Sequence, residues 1–180
     1  MILDIVLFGD PILRKKCRPI EEITEEIKQL ALHMIETIDK KNGIGLAAPQ
    51  VGHDIRMFVL RKYIDRPDGS WGVSEPRVYI NPVLHTPSDQ LWVFPEKCLS
   101  LPGISGVPVT RPHSIIIEAT DLFGKKFVEE DEGHNARVLM HENDHLNGVL
   151  HIDRTDEKSK HKIEGELAAL KKKYLQSKKK

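Results

Sequence analysis

The sequence contains little cysteine and no long apolar run, and each shortage excludes a class of protein. Two cysteines among 180 residues, Cys17 and Cys98, cannot build a disulfide framework, although a thiol or metal-binding role stays open. No run approaches the roughly eighteen apolar residues that a membrane-spanning helix needs. The first eight residues include Asp4 and have no basic lead-in, so we expect mature structure rather than a secretory or organellar targeting signal.

Charge is balanced overall but divided unevenly along the chain. Charged residues are 30% and apolar residues 39% of the sequence, which is typical of a soluble globular protein. Residues 158–180 carry nine lysines and two glutamates, a net charge of +7, whereas residues 1–157 have a net charge of −7. An acidic body argues against a DNA partner, whereas the basic end could contact another polyanion. We therefore expect a body over residues 1–155 and a basic helix or tail over residues 156–180.

Three segments are predicted to be helices, and two of them have an apolar stripe. Thr24 is a typical N-cap, acidic residues follow it in the first turn, and this helix should end near Gly43. A second helix is expected over residues 136–147, with Gly148 as its stop. The apolar stripe of the first helix is Ile23, Ile27, Leu30, Met34 and Ile38, and that of a third, C-terminal helix is Ile163, Leu167, Leu170 and Tyr174.

The middle of the chain contains short runs rich in β-branched and apolar residues, which are separated by Pro, Gly and Asp. Such runs predict strands bounded by turns. Strands that pack beside segregated helices, without an internal repeat, favour an α+β domain. The predicted strands are residues 55–60, 78–80, 114–120 and 125–128.

The strongest local pattern is His141-Glu142-Asn143-Asp144-His145. Residues four apart on a helix differ by about 40° around its axis, so both imidazoles project from one face. Two neutral histidines can then bind one divalent metal, with Glu142 beside it to move protons. The apolar residues of this helix face a core, where two unpaired histidines would be costly. We therefore predict a metal site rather than two satisfied core histidines.

Two residues compete to be the third protein ligand. The string from His141 through Gly148 to His151 matches the extended metzincin protease signature, which would make His151 the ligand. That family also has a methionine turn after the helix, and no methionine here follows Met140. We therefore favour Cys98, because a thiolate would complete the three-ligand set of a catalytic site. His151 is then expected on an outgoing strand.

A third segment, Gly43-Ile44-Gly45-Leu46-Ala47-Ala48-Pro49-Gln50, consists largely of small residues. Small side chains let another chain approach the backbone closely. The simplest alternative is a helix stop followed by a small-residue strand. The two spaced glycines lack the strand–Gly-x-Gly-x-x-Gly–helix context of a nucleotide loop, so nucleotide binding is not predicted.

These three segments, in this order, resemble the motifs of the peptide deformylase family. With φ for an apolar residue, the family has Gly-φ-Gly-φ-Ala-Ala-x-Gln, Glu-Gly-Cys-φ-Ser and Gln-His-Glu-x-Asp-His, which correspond here to residues 43–50, 96–100 and 140–145. The similarity extends from Asp10 to about Arg154. Lys97 and Met140 stand where the family has glycine and glutamine, and neither change removes a ligand or the catalytic acid.

The resemblance implies a fold of antiparallel β-sheets packed around a central metal-binding helix. It implies removal of the N-formyl group from the initiator methionine of newly made proteins, with release of formate, in the bacterial cytoplasm. The metal expected from the family is Fe²⁺, although affinity order alone favours Zn²⁺. Related proteins use a C-terminal helix near the ribosome, so the basic helix could have the same role here. No membrane partner is implied.

The resemblance also implies a role for each matching residue. Cys98, His141 and His145 would hold the metal. Glu142 would accept and then return a proton. The residues implied for stabilising the oxyanion are Gln50 and the backbone N–H of Leu99, and those implied for lining the substrate cleft are Ile44, Gly45 and Val138.

Some expectations retain alternatives. Arg111 and Asp144 are expected either to orient the ligand helix or to form an ordinary exposed ion pair. A metzincin-like peptidase that uses His151 is the second functional hypothesis. A non-catalytic binding module stabilised by zinc is the third, and loss of metal would unfold such a module.

Overall fold

The computed structural model describes residues 1–179, in which three α-helices and nine strands form an α+β fold, as predicted. Three short 3-10 helices, Pro11–Arg14, Ala48–Val51 and His151–Arg154, connect these elements. The α-helices are α1 (Glu25–Lys40), α2 (Gly133–Leu146) and α3 (Glu157–Ser177). The strands are β1 (Gly45–Ala47), β2 (Met57–Leu60), β3 (Tyr63–Asp65), β4 (Trp71–Val73), β5 (Arg77–His85), β6 (Leu91–Glu96), β7 (Val107–Pro112), β8 (Ser114–Thr120) and β9 (Lys126–Glu132).

All the strands pair antiparallel, in three separate sheets. The main sheet has five strands in the order β1-β2-β5-β8-β9, which leaves β1 at one edge. Strands β3 and β4 form a second sheet, and β6 and β7 form a third. The β6–β7 ladder runs from Leu91 opposite Pro112 to Glu96 opposite Val107. Because this hairpin is a sheet of its own, no backbone ladder joins it to the main sheet, and side-chain contacts contribute to fixing its position.

Helix α1 covers one face of the main sheet. The Thr24 hydroxyl accepts a hydrogen bond from Ile27 N at 3.4 Å, so the predicted N-cap is confirmed. Met34 and Ile38 are fully buried against β2, a strand in which every residue is buried. The predicted apolar stripe therefore drives this packing by removing its surface from water.

Helix α2 lies against the sheet and is the central helix of the fold. Leu139, Met140 and Leu146 pack in one core cluster with Phe58 and Tyr79. Met140, which departs from the family motif, is 7% exposed and fills a core position. An apolar side chain suits this position, so the substitution is accommodated by packing.

Helix α2 begins three residues earlier than the sequence pattern predicts. Gly133 is a poor helix former, but its N–H donates to His113 O at 2.7 Å. The Asn135 side chain accepts a hydrogen bond from Tyr63 N at 2.8 Å and donates to Tyr63 O at 3.1 Å. Tertiary hydrogen bonds therefore stabilise a first turn that local propensity does not favour.

Strand β9 is longer than the predicted 125–128 because tertiary contacts support acidic residues in its second half. Glu and Asp are depleted in strands. Here Arg77 and Tyr79 bind Glu129, and Lys62 Nζ lies 2.7 Å from Asp131. Strand β8 matches its prediction, β5 is longer than predicted and β2 slightly shorter. Strand β1 corresponds to the small-residue strand given as the alternative for residues 43–50, whereas the sequence pattern does not predict β3, β4, β6 or β7.

Helix α3 places its predicted apolar stripe against the body. Asp156 caps the helix by accepting a hydrogen bond from Ser159 N at 2.9 Å. Ile163, Leu167 and Leu170 are half-buried against the cluster that contains Cys98. The division of the chain at residue 155 stays a prediction.

Gly148 ends α2, as predicted, through a Schellman motif. Its φ is +71°, its N–H donates to His145 O, and Val149 N donates to Asp144 O at 3.0 Å. A Cβ at residue 148 would also collide with the backbone carbonyl of Arg14. The position therefore requires glycine for both its conformation and its space.

We expect Gly148→Ala to destabilise the protein more than Gly124→Ala. Both residues have positive φ, but a Cβ at residue 124 meets open space, so that variant should cost about 1–2 kcal/mol. The collision at residue 148 should add about 1–3 kcal/mol. Urea unfolding of both variants measures the difference, and equal midpoints would contradict this account of Gly148.

Candidate metal centre and active site

Cys98 lies in the connection that follows β6. Glu96 ends that strand opposite Val107, so the hairpin ladder holds the base of the 97–106 loop. Leu101 N donates to Cys98 O at 3.0 Å, which folds the backbone into a tight turn around the cysteine. Cys98 is 8% exposed, and the core cluster around it is apolar. The thiol is therefore held at the edge of the core.

His141 and His145 lie one turn apart on the same face of α2. Their ring centroids are 5.2 Å apart. The Cys98 Sγ atom lies 3.4 Å from His145 Nε2. The metal-binding atoms of Cys98, His141 and His145 all lie within 4.8 Å of one another. The structure thus brings together the three ligands predicted from two distant motifs.

The donor set fits a divalent transition metal. A thiolate and two imidazoles suit zinc and other borderline or soft ions, and three protein ligands are typical of catalytic sites. The three side chains are buried, and Nε2 of His145 lies 3.4 Å from the Cys98 thiol. A cation would compensate the cost of burying these polar atoms together.

Glu96 fixes the ring of His141. The His141 Nδ1 atom lies 2.7 Å from Glu96 Oε1, an arrangement that leaves Nε2 free as a ligand. Although burial alone raises the pKa of a carboxyl group, hydrogen bonds from Arg111 and His141 hold the pKa of Glu96 well below its ordinary value. Glu96 is therefore a buried carboxylate that orients a metal-ligand candidate.

Arg111 and Asp144 form a buried ion pair, not an exposed one. Arg111 is 2% exposed and Asp144 is 6% exposed, and Arg111 Nη1 donates to Asp144 Oδ2 at 2.9 Å. Arg111 also donates to both oxygens of Glu96, at 2.7 and 2.9 Å. Arg154 donates to both oxygens of Asp144, at 2.6 and 2.7 Å. This network connects α2 to β6, β7 and the 3-10 helix that follows α2.

Glu142 lies beside the ligand cluster and in contact with the small-residue segment. It is 4% exposed, and its Oε2 has no protein partner in the described chain. A Cβ at Gly45 would lie 2.7 Å from Glu142 Oε1, so glycine leaves the space that the carboxylate occupies. Burial raises the pKa of Glu142 to about 7. Such a carboxyl can exchange a proton near neutral pH.

Gln50 points its amide nitrogen at the cysteine. Ala47 N donates to Gln50 Oε1 at 2.9 Å, which fixes the orientation of the amide. Gln50 Nε2 then lies 3.4 Å from Cys98 Sγ and 3.2 Å from Ser100 Oγ. The backbone N–H of Leu99 has no protein acceptor among residues 1–179. Two hydrogen-bond donors are thus present at the cluster.

A cleft of about 1060 Å³ opens over this cluster. Ile44 and Gly45 line one part of it and Val138 another, together with Cys98, His141 and Glu142. Lys97 is exposed at the cleft. It is not among the residues with positive φ in the described chain, so the lysine needs no conformation that only glycine adopts.

His151 is not part of the ligand group in the described structure. Its ring centroid lies 5.5 Å from that of His141, and the residue starts a 3-10 helix instead of the expected strand. Burial lowers the pKa of His151 to about 3, which keeps the ring neutral. The extended metzincin match is therefore accidental in this fold.

Sequence reasoning assigned no role to several residues at the site. Glu96 was part of the cysteine motif, and Arg137 precedes His141 by one turn, a spacing that places both on one helix face. That spacing was the available signal for Arg137. The mouth of the cleft is also lined by aromatic residues that the sequence did not connect, namely Tyr63, Trp71, Phe94 and His134.

The fold and the site together define a metal-dependent hydrolase. A central helix carries the His-Glu-x-x-His pattern, and a cysteine from a separate hairpin completes a buried three-residue donor set. Among residues 1–179, no helix combines the length and the apolar character that crossing a membrane requires.

Comparisons with known proteins identify the family. The family described as polypeptide deformylase matches residues 2–161. The peptide deformylase of Borreliella burgdorferi is 39% identical over 89% of this chain and 92% of its own, and that of Thermus thermophilus is 44% identical over 86% and 82%. The crystal structure of peptide deformylase 1B from Arabidopsis thaliana superposes with a TM-score of 0.87 at 40% identity, covering 97% of this chain and 93% of that one. This chain belongs to the polypeptide deformylase family.

We expect Cys98→Ser to bind its metal less tightly than the wild type, because a neutral hydroxyl is a poorer donor than a thiolate. His151→Ala should keep the wild-type metal content, because His151 lies outside the ligand group. Elemental analysis of both folded variants after dialysis against a chelator measures this. A metal-free His151→Ala protein together with a metal-replete Cys98→Ser protein would reverse the assignment.

Proposed function

We propose that this chain uses Cys98, His141, His145 and Glu142 to remove the N-formyl group from the initiator methionine of newly made proteins, releasing formate. The observation that carries the proposal is the position of the Glu142 carboxylate, buried beside the Cys/His/His group and at a cleft that can admit a peptide. Membership of the deformylase family supports the reaction. Family membership also argues against the third hypothesis, a non-catalytic binding module stabilised by zinc.

One divalent metal ion is the proposed cofactor, with Fe²⁺ as the resident ion and Zn²⁺ as the alternative. The resemblance to the family favours iron, whereas affinity order favours zinc. When bound, such an ion supplies Lewis acidity that polarises a carbonyl and makes water a stronger acid. Glu96 keeps His141 in the tautomer that can bind the ion, through the 2.7 Å contact with Nδ1.

Glu142 is the proposed proton carrier. It takes a proton from the attacking water as the oxygen bonds to the formyl carbon, and then gives that proton to the amine nitrogen as the C–N bond breaks. Formate and the free amino terminus are the products. Burial removes competing water, and Gly45 leaves room for the carboxylate next to the peptide path.

Gln50 and the Leu99 N–H are proposed to stabilise the charge that develops on the formyl oxygen. The amide of Gln50 is fixed by Ala47 and directs Nε2 toward Cys98, so it need not reorganise during the reaction. Leu99 follows Cys98 directly, and its N–H has no other protein acceptor in the described chain. Fixed donors of this kind are most effective in a buried site.

Ile44, Gly45 and Val138 are proposed to bind the substrate. Strand β1 lies at an edge of the main sheet, where an extended peptide can add as a further strand beside Gly45. Ile44 and Val138 offer apolar surface in the same cleft for the methionine side chain. The formyl group of a peptide bound in this way would reach the Cys/His/His group.

We further propose a cytoplasmic location and a contact between α3 and the ribosome. Cys17 and Cys98 are both free thiols, which fits a reducing compartment. Lys171, Lys172 and Lys173 are exposed, whereas the apolar stripe of α3 faces the body. Ribosomal RNA is a polyanion, so a helix docked in this way can present its lysines to it.

We expect wild-type protein, prepared without oxygen, to release formate from a formyl-methionine peptide and to stop when a chelator removes its metal. Glu142→Ala should retain the metal but lose turnover by about 100- to 10,000-fold, because the proton carrier is gone. Gly45→Ala should also lose turnover, because its Cβ displaces the same carboxylate. Gly43→Ala is the matched control and should keep its turnover. A Cβ at residue 43 meets only the flexible end of the Leu99 side chain, at 3.2 Å. Full turnover in Glu142→Ala would refute the assigned role.

We expect glutamine at Lys171, Lys172 and Lys173 to weaken co-sedimentation with ribosomes at low salt while leaving turnover of short peptides unchanged. The plot of log affinity against log salt has a negative slope, and loss of three phosphate contacts should reduce its magnitude by about 2–3. The control replaces three exposed lysines of the body, Lys16, Lys125 and Lys126. An identical loss in both triple variants would show that any lysine patch binds and would reject α3 as the contact.

A further inference from the structure

Arg137 is a buried arginine of α2 for which the proposed reaction has no use. It is 4% exposed and lies one turn before His141, on the same helix face. Burying a guanidinium is costly unless it is paired and hydrogen-bonded. Its partners therefore show what this residue holds in place.

The guanidinium of Arg137 contacts both strands of the β6–β7 hairpin. Nη1 donates to Glu96 Oε2 at 2.6 Å and to Val109 O at 2.9 Å. Nη2 donates to Trp92 O at 3.0 Å, and the guanidinium carbon lies 4.4 Å from the Trp92 ring centroid. One side chain of the helix thus binds two backbone carbonyls, a carboxylate and an aromatic face of the hairpin.

This contact joins the two elements that carry the candidate metal ligands. Cys98 follows the hairpin strand β6 by two residues, whereas both histidines are on α2. The hairpin is a separate sheet, so no backbone ladder fixes the separation of the thiol from the imidazoles. Glu96 accepts hydrogen bonds from Arg137 and from His141 Nδ1, and therefore spans one turn of α2.

We propose that Arg137 is a positioning residue that holds the Cys98 segment at the correct separation from His141 and so determines how firmly the site retains its metal. The planar fork of arginine is needed because Nη1 and Nη2 reach different acceptors, whereas a lysine ammonium has all its donors on one nitrogen. Removing it leaves the Trp92 and Val109 carbonyls without this donor and takes away one of the two donors to Glu96 Oε2, the other being Arg111 Nε. This inference rests on the proposed ligand set of Cys98, His141 and His145.

The test uses full-length protein loaded with Co²⁺, whose thiolate-to-metal absorption reports the ligand geometry. We compare Arg137→Met and Arg137→Lys with the wild type in the rate of Co²⁺ transfer to a chelator. Arg137→Met should release the ion about 10- to 100-fold faster, as expected for lost support of a ligand, and its absorption band should shift. Arg137→Lys should give an intermediate rate. The control is Arg56→Met, because Arg56 also binds α2, through Leu146 O at 3.1 Å, but at the opposite end.

Wild-type release rates and spectra in both Arg137 variants would overturn the proposal. Failure of both variants to fold would assign Arg137 to the fold instead of the metal site and would overturn it equally. Faster release from Arg56→Met as well would show a general loosening of α2, again against the proposal. A Cys98→Ser variant separates failure of the ligand set from failure of the role of Arg137. Release of Co²⁺ at the wild-type rate from Cys98→Ser would refute the ligand set itself.

Discussion

The buried carboxylate of Glu96 is the interaction on which the rest of the site depends. It accepts hydrogen bonds from Arg111 on β7 and from Arg137 and His141 on α2, and so joins a separate hairpin to the central helix. A buried charge of this kind is tolerated only when it is fully paired, and removing one partner typically costs about 3–5 kcal/mol. Hairpin and helix are therefore held in one relative position, and Cys98 follows Glu96 by only two residues.

The same packing prepares Glu142 for proton transfer. The helix that presents His141 and His145 to the cysteine also places Glu142 beside His141 in the same cleft, against Gly45 of β1. Gly45 lacks a Cβ at the point where the Glu142 carboxylate lies, so the carboxylate fits next to the backbone along which a peptide strand can add. Burial disfavours the charged form of Glu142 and so raises its pKa to about 7. Such a pKa suits a group that must accept and return a proton.

Sequence patterns predicted those parts of the fold and site that depend only on residues close together in the chain. The α1 cap at Thr24, the helix stop at Gly148 and the histidine pair one turn apart all follow from spacing within a single segment. The β6–β7 hairpin was missed because its strand β6 is mostly exposed and carries little of the alternation that marks a strand. The sequence left two alternatives open for Arg111 and did not predict the contacts of Arg137, because charged residues are usually solvent-exposed and the partners of these two lie 15 and 41 residues away. Donor chemistry and the motif resemblance connected Cys98 with the histidines, which periodicity alone could not.

X-ray absorption at the metal edge of anaerobically purified protein tests the central claim most directly, namely that one thiolate and two imidazoles hold the ion. The account predicts one sulfur ligand, at about 2.3 Å if the ion is zinc, together with two nitrogen ligands at about 2.0–2.1 Å. Replacing Cys98 with serine should remove the sulfur shell. A wild-type spectrum with three nitrogen ligands and no sulfur would contradict the account and would point instead to His151.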